Sequence, residues 1–325
     1  MSSLASQLVR RLDLAQRHHG FLGFPWAVLR KYLDDEGALL AALITYYGFL
    51  SLFPLLLLAT TAVTELLRSQ PELQRQMLDR LVSPKLRPDV EHALSQLPPS
   101  GVPLAIGLVS LLFAGIGGVL AVYSVLNKMW AVPWRDRFGL ARRFARALLV
   151  LVLSLISAVI AAGSTILTDA VLRLPWVQRA GAAVATATAL FAMMGIAHKV
   201  LVCRPLRIRD IRVGGAVGAI VVTALLNAAA TILPALVTRA GWVYGSFATV
   251  VGIFTLLYFI SQTLVLSVEV STVIESRLSP RGLTAADLTE ADRHALVLQA
   301  RRQERVAGER IVTTFSTRSG EDPDQ

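Results

Sequence analysis

The residue types that perform covalent chemistry are few and scattered in this chain. Its five histidines, His18, His19, His92, His198 and His294, form no metal-ligand spacing with carboxylates or with the single cysteine, Cys203. No glycine-rich phosphate loop and no nucleophile elbow is present. Catalysis, metal binding and cofactor chemistry have no foothold, so the sequence predicts a protein that is not an enzyme and holds neither metal nor cofactor.

Polar side chains inside long apolar stretches are the residues left to explain. Projected at about 100° per residue, Tyr244, Thr255, Tyr258, Gln262 and Glu269 fall within a sector of about 60°. Tyr47, Ser51, Pro54, Thr61 and Glu65 share a second sector of about 80°, and Thr223, Asn227, Thr231, Pro234 and Thr238 a third. Ser154, Ser157, Ser164 and Thr168 form a looser fourth stripe. Such groups converge inside a bundle, because an unpaired amide or carboxylate in hydrocarbon costs several kcal/mol. For serine and threonine the plain role is hydrogen bonding between helices. Tyr47, Ser51, Pro54, Asn227, Tyr258, Gln262 and Glu269 are the candidates for a polar pathway, since intramembrane amide and ionisable groups mark such routes, and each proline frees a backbone carbonyl. For Glu269, near a helix end, pairing with a loop arginine is the competing role.

A second constellation lies between two of these stretches. Lys128, Arg135, Arg137, Arg142, Arg143 and Arg146 alternate with Trp130, Trp134 and Phe138. Cations among interface-seeking aromatics attract anionic lipid head groups at about 1 kcal/mol per charge. Setting membrane topology is the alternative use of the same charges.

The elements that must position these residues are membrane helices. The chain has 325 residues, 54% hydrophobic and only 17% charged, with a mean hydropathy of +0.58, where a soluble domain has roughly 25% charged residues. Charge-free runs cover 37–64, 92–127, 147–168, 180–198, 213–238 and 240–268, each long enough to cross about 30 Å of hydrocarbon. We therefore expect an all-α integral membrane protein, a bundle of six transmembrane helices over 37–278, with spans near 38–66, 101–127, 147–170, 180–202, 213–238 and 243–272. An interfacial amphipathic arm, 1–36, precedes them, carrying Leu4, Leu8 and Leu12 and then Trp26, Leu29 and Leu33 at helical spacing. The loop 67–100 is an outer cap cut by five prolines. The tail, 279–325, is a cytoplasmic helix opening with a Thr284 to Asp287 capping signal and running towards Arg310, with a disordered end.

The net charge of +10 resolves into topology. With the N-terminus inside, 24 of the 32 Lys and Arg lie on the inner side. No basic face with a readable nucleic-acid module appears, so nucleic acid is not an expected partner; membrane lipids, anionic ones above all, are. No cleavable signal peptide precedes the first span. Ser110, Ala114 and Gly118, Gly214 and Gly218, and Gly241 and Gly245 stand four apart, a spacing that lets helices approach closely within the bundle or between copies of a homo-oligomer.

These residues resemble a known family. Ala41-Ala42-Leu43-Ile44-Thr45-Tyr46-Tyr47 followed by Ser51-Leu52-Phe53-Pro54 is similar to the opening signature of the YihY/BrkB family of bacterial inner-membrane proteins. Leu126-Asn127-Lys128-Met129-Trp130, Arg204-Pro205, Gly214-Gly215-Ala216 and Tyr244-Gly245-Ser246 leading to Glu269 follow in order. Where the family often shows Gly-Ala-Glu, this chain has Ser267-Val268-Glu269 and keeps the carboxylate. The resemblance implies a six-helix protein of the bacterial cytoplasmic membrane, linked to envelope phenotypes. It also brings a ribonuclease label once given to the family, which fails here because the clustered His and Asp ligands of a metal-dependent nuclease are missing. The expectation is a transporter or flippase-like protein for an amphiphilic, anionic lipid-like substrate. A non-transporting envelope scaffold is the other reading, and water-accessible or dry polar stripes separate the two.

Overall fold

The computed structural model describes residue 13 and residues 20–69, 101–171, 175–244, 247–283 and 288–315. The described residues are helical, without strands. Among the described residues eight α-helices follow in order: α1 (Gly20–Asp34), α2 (Gly37–Ser69), α3 (Gly101–Met129), α4 (Leu140–Val171), α5 (Pro175–Leu201), α6 (Ile208–Tyr244), α7 (Phe247–Glu275) and α8 (Glu290–Arg302), with a 3-10 turn at Trp134–Asp136. Among the described residues five are long and apolar enough to cross a membrane: α2, α3, α5, α6 and α7. The third expected span falls in α4, whose side chains beyond residue 157 lie outside the described residues.

The six long helices pack in chain order, α2 on α3 through to α6 on α7, and α7 returns to α2. The result is a closed ring, across which α3 also touches α5 and α7. Its outer wall carries exposed aliphatic and aromatic side chains, among them Phe113 at 86% exposure, Val109, Ile220 and Phe259. In water a face of this kind is an unfavourable apolar patch; in hydrocarbon it is solvated.

Among the described residues, burial concentrates at one end of the ring. Leu40, Tyr123, Leu126, Trp130, Val150, Leu201 and Val268 form a core there, and Ala27, Val28, Val273, Leu278 and Ala295 join α1, α7 and α8 beside it. The N-terminal arm, the 130–139 loop, the 202–207 loop and the tail meet at this end. Asn127 ties them: its amide donates to the carbonyls of Tyr123 at 2.8 Å and Leu201 at 2.9 Å, and its Oδ1 accepts from the Cys203 N–H at 2.9 Å.

Two glycines are required by close approach. A Cβ on Gly214 would stand 2.0 Å from the Ser267 carbonyl and one on Gly218 2.7 Å from the Ser267 Cβ, so this pair packs α6 onto α7 within the chain. The expected arm and tail differ in detail. α1 buries Ala27, Val28 and Lys31 against the bundle, with Asp35 buried just past its end, while Leu29 and Leu33 stay exposed. The tail helix starts at Glu290 and ends at Arg302, capped by Thr289, whose hydroxyl accepts from the Asp292 N–H, with Asp292 returning the bond to the Thr289 N–H. The 284–287 signal, the Leu4-Leu8-Leu12 stripe, the 70–100 loop and Gly245 lie outside the described residues.

Candidate functional site

Polar side chains gather at the buried end of the ring in two groups. The first is built around Glu269, which α7 holds at 0% exposure. Its Oε2 accepts from Lys31 Nζ at 2.9 Å and from the Thr272 hydroxyl at 3.1 Å, while its Oε1 is buried without a partner among the described residues. Lys31 uses the rest of its ammonium on Asp35 Oδ2 at 2.5 Å and on the Met129 carbonyl at 3.0 Å. Asp35 presents its other oxygen to Arg302 of α8 at 2.7 Å. Two cations and two anions thus join α1, α7 and α8 with no formal charge left over. Burial pulls the Lys31 ammonium down, but the charges of Glu269 and Asp35 outweigh it and hold the group above its ordinary value.

A neighbouring set repeats the pattern. Arg281 reaches Asp34 at 2.7 Å and Asp292 at 2.8 Å. Burial pushes the Asp292 carboxyl up, and hydrogen bonds from Arg281, Gly282 and Thr289 overcome this and keep it below the usual carboxylate range. Further along α7 a neutral chain runs between helices: the Tyr32 hydroxyl donates to Gln262 Oε1 at 2.5 Å, and Gln262 Nε2 donates to the Tyr258 hydroxyl at 2.6 Å.

Of the expected pathway residues, Tyr258, Gln262 and Glu269 therefore share α7 with partners from α1. Pro54 is buried in α2, and the half-buried Tyr47 leans on α3, where a Cβ on Gly117 would stand 2.7 Å from its ring. Ser51 is half-buried and donates to the Gly48 carbonyl of its own helix at 2.7 Å. Asn227 departs from the expected inward direction. It stands exposed on α6 and donates to the Thr223 carbonyl one turn back at 2.8 Å, which satisfies the amide locally. Glu269 finds its cation on α1, not on a loop arginine.

The second group is the basic segment between α3 and α4, and it divides in two. Lys128 is taken up by Glu36 at 2.7 Å and Arg135 by Glu304 at 3.0 Å. Arg137, Arg142, Arg143 and Arg146 have no carboxylate within 4 Å among the described residues and lie over aromatic rings instead. Arg137 stacks 3.9 Å from the Trp134 ring centre, and Arg146 3.8 Å from that of Phe138. Arg137 also donates to the Val132 carbonyl, and Arg146 to that of Val200 at 2.9 Å. These contacts orient the guanidinium groups without neutralising them.

A family model named Virulence factor BrkB matches residues 28–291, a range that takes in Lys31, Asp35, Glu269 and the basic segment but ends before Asp292, Arg302 and Glu304. The chain belongs to the BrkB family. No curated protein and no solved structure matches it significantly. BrkB is not a known enzyme family, and among the described residues no set of three His, Cys, Asp or Glu is placed to hold a metal ion.

Several residues of this BrkB-family chain were hidden in its sequence. Lys31, Asp35 and Arg302 carry no mark of burial there, and only the i, i+4 spacing of Lys31 and Asp35 hints at a pair. His198, one of the histidines without metal-ligand spacing, is 4% exposed. Its Nδ1 lies 2.7 Å from the Met194 carbonyl, so that nitrogen carries a proton and donates, while Nε2 has no partner. Its ring meets Trp130 edge-on, with 6.1 Å between centres, and the Trp130 N–H is also unpartnered among the described residues.

Proposed function

We propose that this BrkB-family protein binds an anionic amphiphile at the basic end of its helix ring and carries it across the bacterial cytoplasmic membrane, as a transporter or flippase-like protein. The observation that carries the reading is the set of four arginines, Arg137, Arg142, Arg143 and Arg146, oriented by aromatic rings and without a carboxylate within 4 Å among the described residues. Guanidinium groups in this state are suited to phosphate or carboxylate head groups, which they bind through two parallel hydrogen bonds. The Tyr32–Gln262–Tyr258 chain supplies polar groups deeper among the helices. In this reading both termini and the basic end face the cytoplasm, in keeping with the excess of Lys and Arg in the segments that meet there.

The test is reconstitution in vesicles with a fluorescent anionic lipid and a membrane-impermeant head-group quencher. Movement of the anionic lipid, faster than that of a zwitterionic analogue and slowed by Arg142→Gln/Arg143→Gln, is the expected result. Salt-sensitive binding without movement would leave the non-transporting scaffold in its place.

A further inference from the structure

A cavity of about 240 Å³ lies among five helices of the ring. Ile44 of α2, Val122 of α3, Val150 and Ser154 of α4, Met193 of α5 and Val265 of α7 reach its wall. Protein interiors are close-packed, and a space of this size deprives its lining of dispersion partners unless something fills it. Water is a poor occupant. The wall is almost wholly apolar: the Ser154 hydroxyl donates to the Val150 carbonyl at 2.7 Å, and the unpartnered Nε2 of His198 is the other polar atom it offers, so the several waters that would fit would lack the two to four polar partners each needs. An apolar cavity of about 150 Å³ is known to stay dry and to accept benzene or xenon. In a membrane the apolar material on hand is hydrocarbon chain.

The position of the cavity says which chain. Arg143, Arg146, Val150 and Ser154 follow one face of α4, within about 80° at 100° per residue. Arg146 donates to the carbonyl of Val200, the neighbour of Leu201, which itself lines the cavity. The unneutralised guanidinium groups and the apolar space are therefore consecutive on the same helix surface, with Ser154 about 12 Å along the axis from Arg146. Met193 and Met194, both on the wall, are unbranched and polarizable and adapt to a flexible guest.

We infer that this cavity seats one hydrocarbon chain of an anionic amphiphile whose head group is held by Arg143 and Arg146, an inference that rests on the anionic-amphiphile reading above. The ligand class is an alkyl or acyl chain ending in a phosphate, sulfate or carboxylate. The chain enters between α4 and its neighbours, and the head stays among Arg143, Arg146 and the Phe138 ring.

The probe is dodecyl phosphate with a diazirine at the chain end, applied to the full-length protein in nanodiscs of zwitterionic lipid, with labelled residues mapped by mass spectrometry. Labels on the cavity walls, at Val150, Ser154, Leu190, Met193, Met194 and Ala197, competed away by unlabelled dodecyl phosphate, are the expected result. Val150→Phe should weaken binding about tenfold, the loss expected when two methylenes are denied burial. Ser154→Leu, which fills the same space from the next turn, should act in the same direction. Both variants should remain monodisperse, since they fill space and open none. Labels confined to outer-wall residues such as Val109 and Phe113, unchanged by either variant while binding stays salt-sensitive, would overturn the cavity as the chain site and leave the head-group reading standing. Cavity labels that are indifferent to salt and to Arg143→Gln/Arg146→Gln would uphold the chain site and overturn the head-group reading. Absence of both labelling and salt-sensitive binding would overturn the two together.

Discussion

The basic end of the molecule treats positive charge in two opposite ways. Around α1, α7 and α8 each buried cation meets carboxylates: Lys31 has Asp35 and Glu269, Arg302 has Asp35, and Arg281 has Asp34 and Asp292. Around the start of α4 the arginines meet aromatic rings and backbone carbonyls, with no carboxylate in reach among the described residues. The first arrangement neutralises itself and locks three helices. The second keeps its charge available to a partner from outside the chain. Arginine content alone does not distinguish structural charge from binding charge; the distribution of carboxylates does.

The comparison breaks most severely at Glu269. Removing one member of a buried pair leaves its partner's charge uncompensated, at about 3–5 kcal/mol. Glu269→Ala should therefore lower the thermal midpoint in detergent more than any other substitution considered for this chain, with Lys31→Met close behind. The double variant should recover part of the loss, because Asp35 and Arg302 still neutralise one another. If the double variant is as unstable as the sum of the singles, the pair is not the lock described.

Next in size is Asn127, which is 0% exposed and carries no charge. Asn127→Ala orphans the Cys203 N–H and leaves the Leu201 carbonyl one donor short, at about 1–3 kcal/mol for an unsatisfied group. The loss should appear as lower stability and as faster hydrogen exchange at Cys203. Unchanged exchange there would show that the loop is held by other contacts.

The two regions also differed in how far sequence could read them. The long helices were legible because charges bracket apolar runs: helix α5, Pro175–Leu201, covers nearly all of the stretch expected at 180–202, and helix α3, Gly101–Met129, that expected at 101–127. The basic cluster was legible as composition, but not its division, since Lys128 and Arg135 find carboxylates 92 and 169 positions away in Glu36 and Glu304. The lock was hidden for the same reason: Lys31 and Gln262 are distinguished by contacts spanning more than two hundred residues, to Glu269 and Tyr32. Asn227 misled because a helical projection gives an angle but not which side faces the ring, and its amide is satisfied within one turn.

A smaller effect follows from acid. The Asp292 carboxyl is held below its ordinary value, so it contributes stability above about pH 4, where an unfolded aspartate is ionised. That contribution is lost as pH falls through the folded value. The difference in thermal midpoint between the unaltered chain and Asp292→Asn should thus be greatest near neutrality and shrink between about pH 5 and pH 3. A difference that does not vary with pH would mean that Asp292 acts only through its cap geometry.

The smallest expected effect on stability belongs to the open arginines, and it is what sharpens the comparison. Arg142 is exposed and has no carboxylate to lose among the described residues; Arg143 gives up a contact 5.4 Å from the Tyr123 ring. Arg142→Gln and Arg143→Gln should each change unfolding free energy by at most about 0.5–1 kcal/mol. Binding should respond in the opposite proportion. At about 1 kcal/mol per charge near an anionic surface, each substitution should weaken association with anionic vesicles about fivefold. Because attraction at an exposed site is screened over about 8 Å at physiological ionic strength, the difference should narrow as salt is raised. A chain that loses stability on these substitutions, yet binds anionic vesicles as before, would place these arginines with the locked set and remove the contrast on which the proposed function stands.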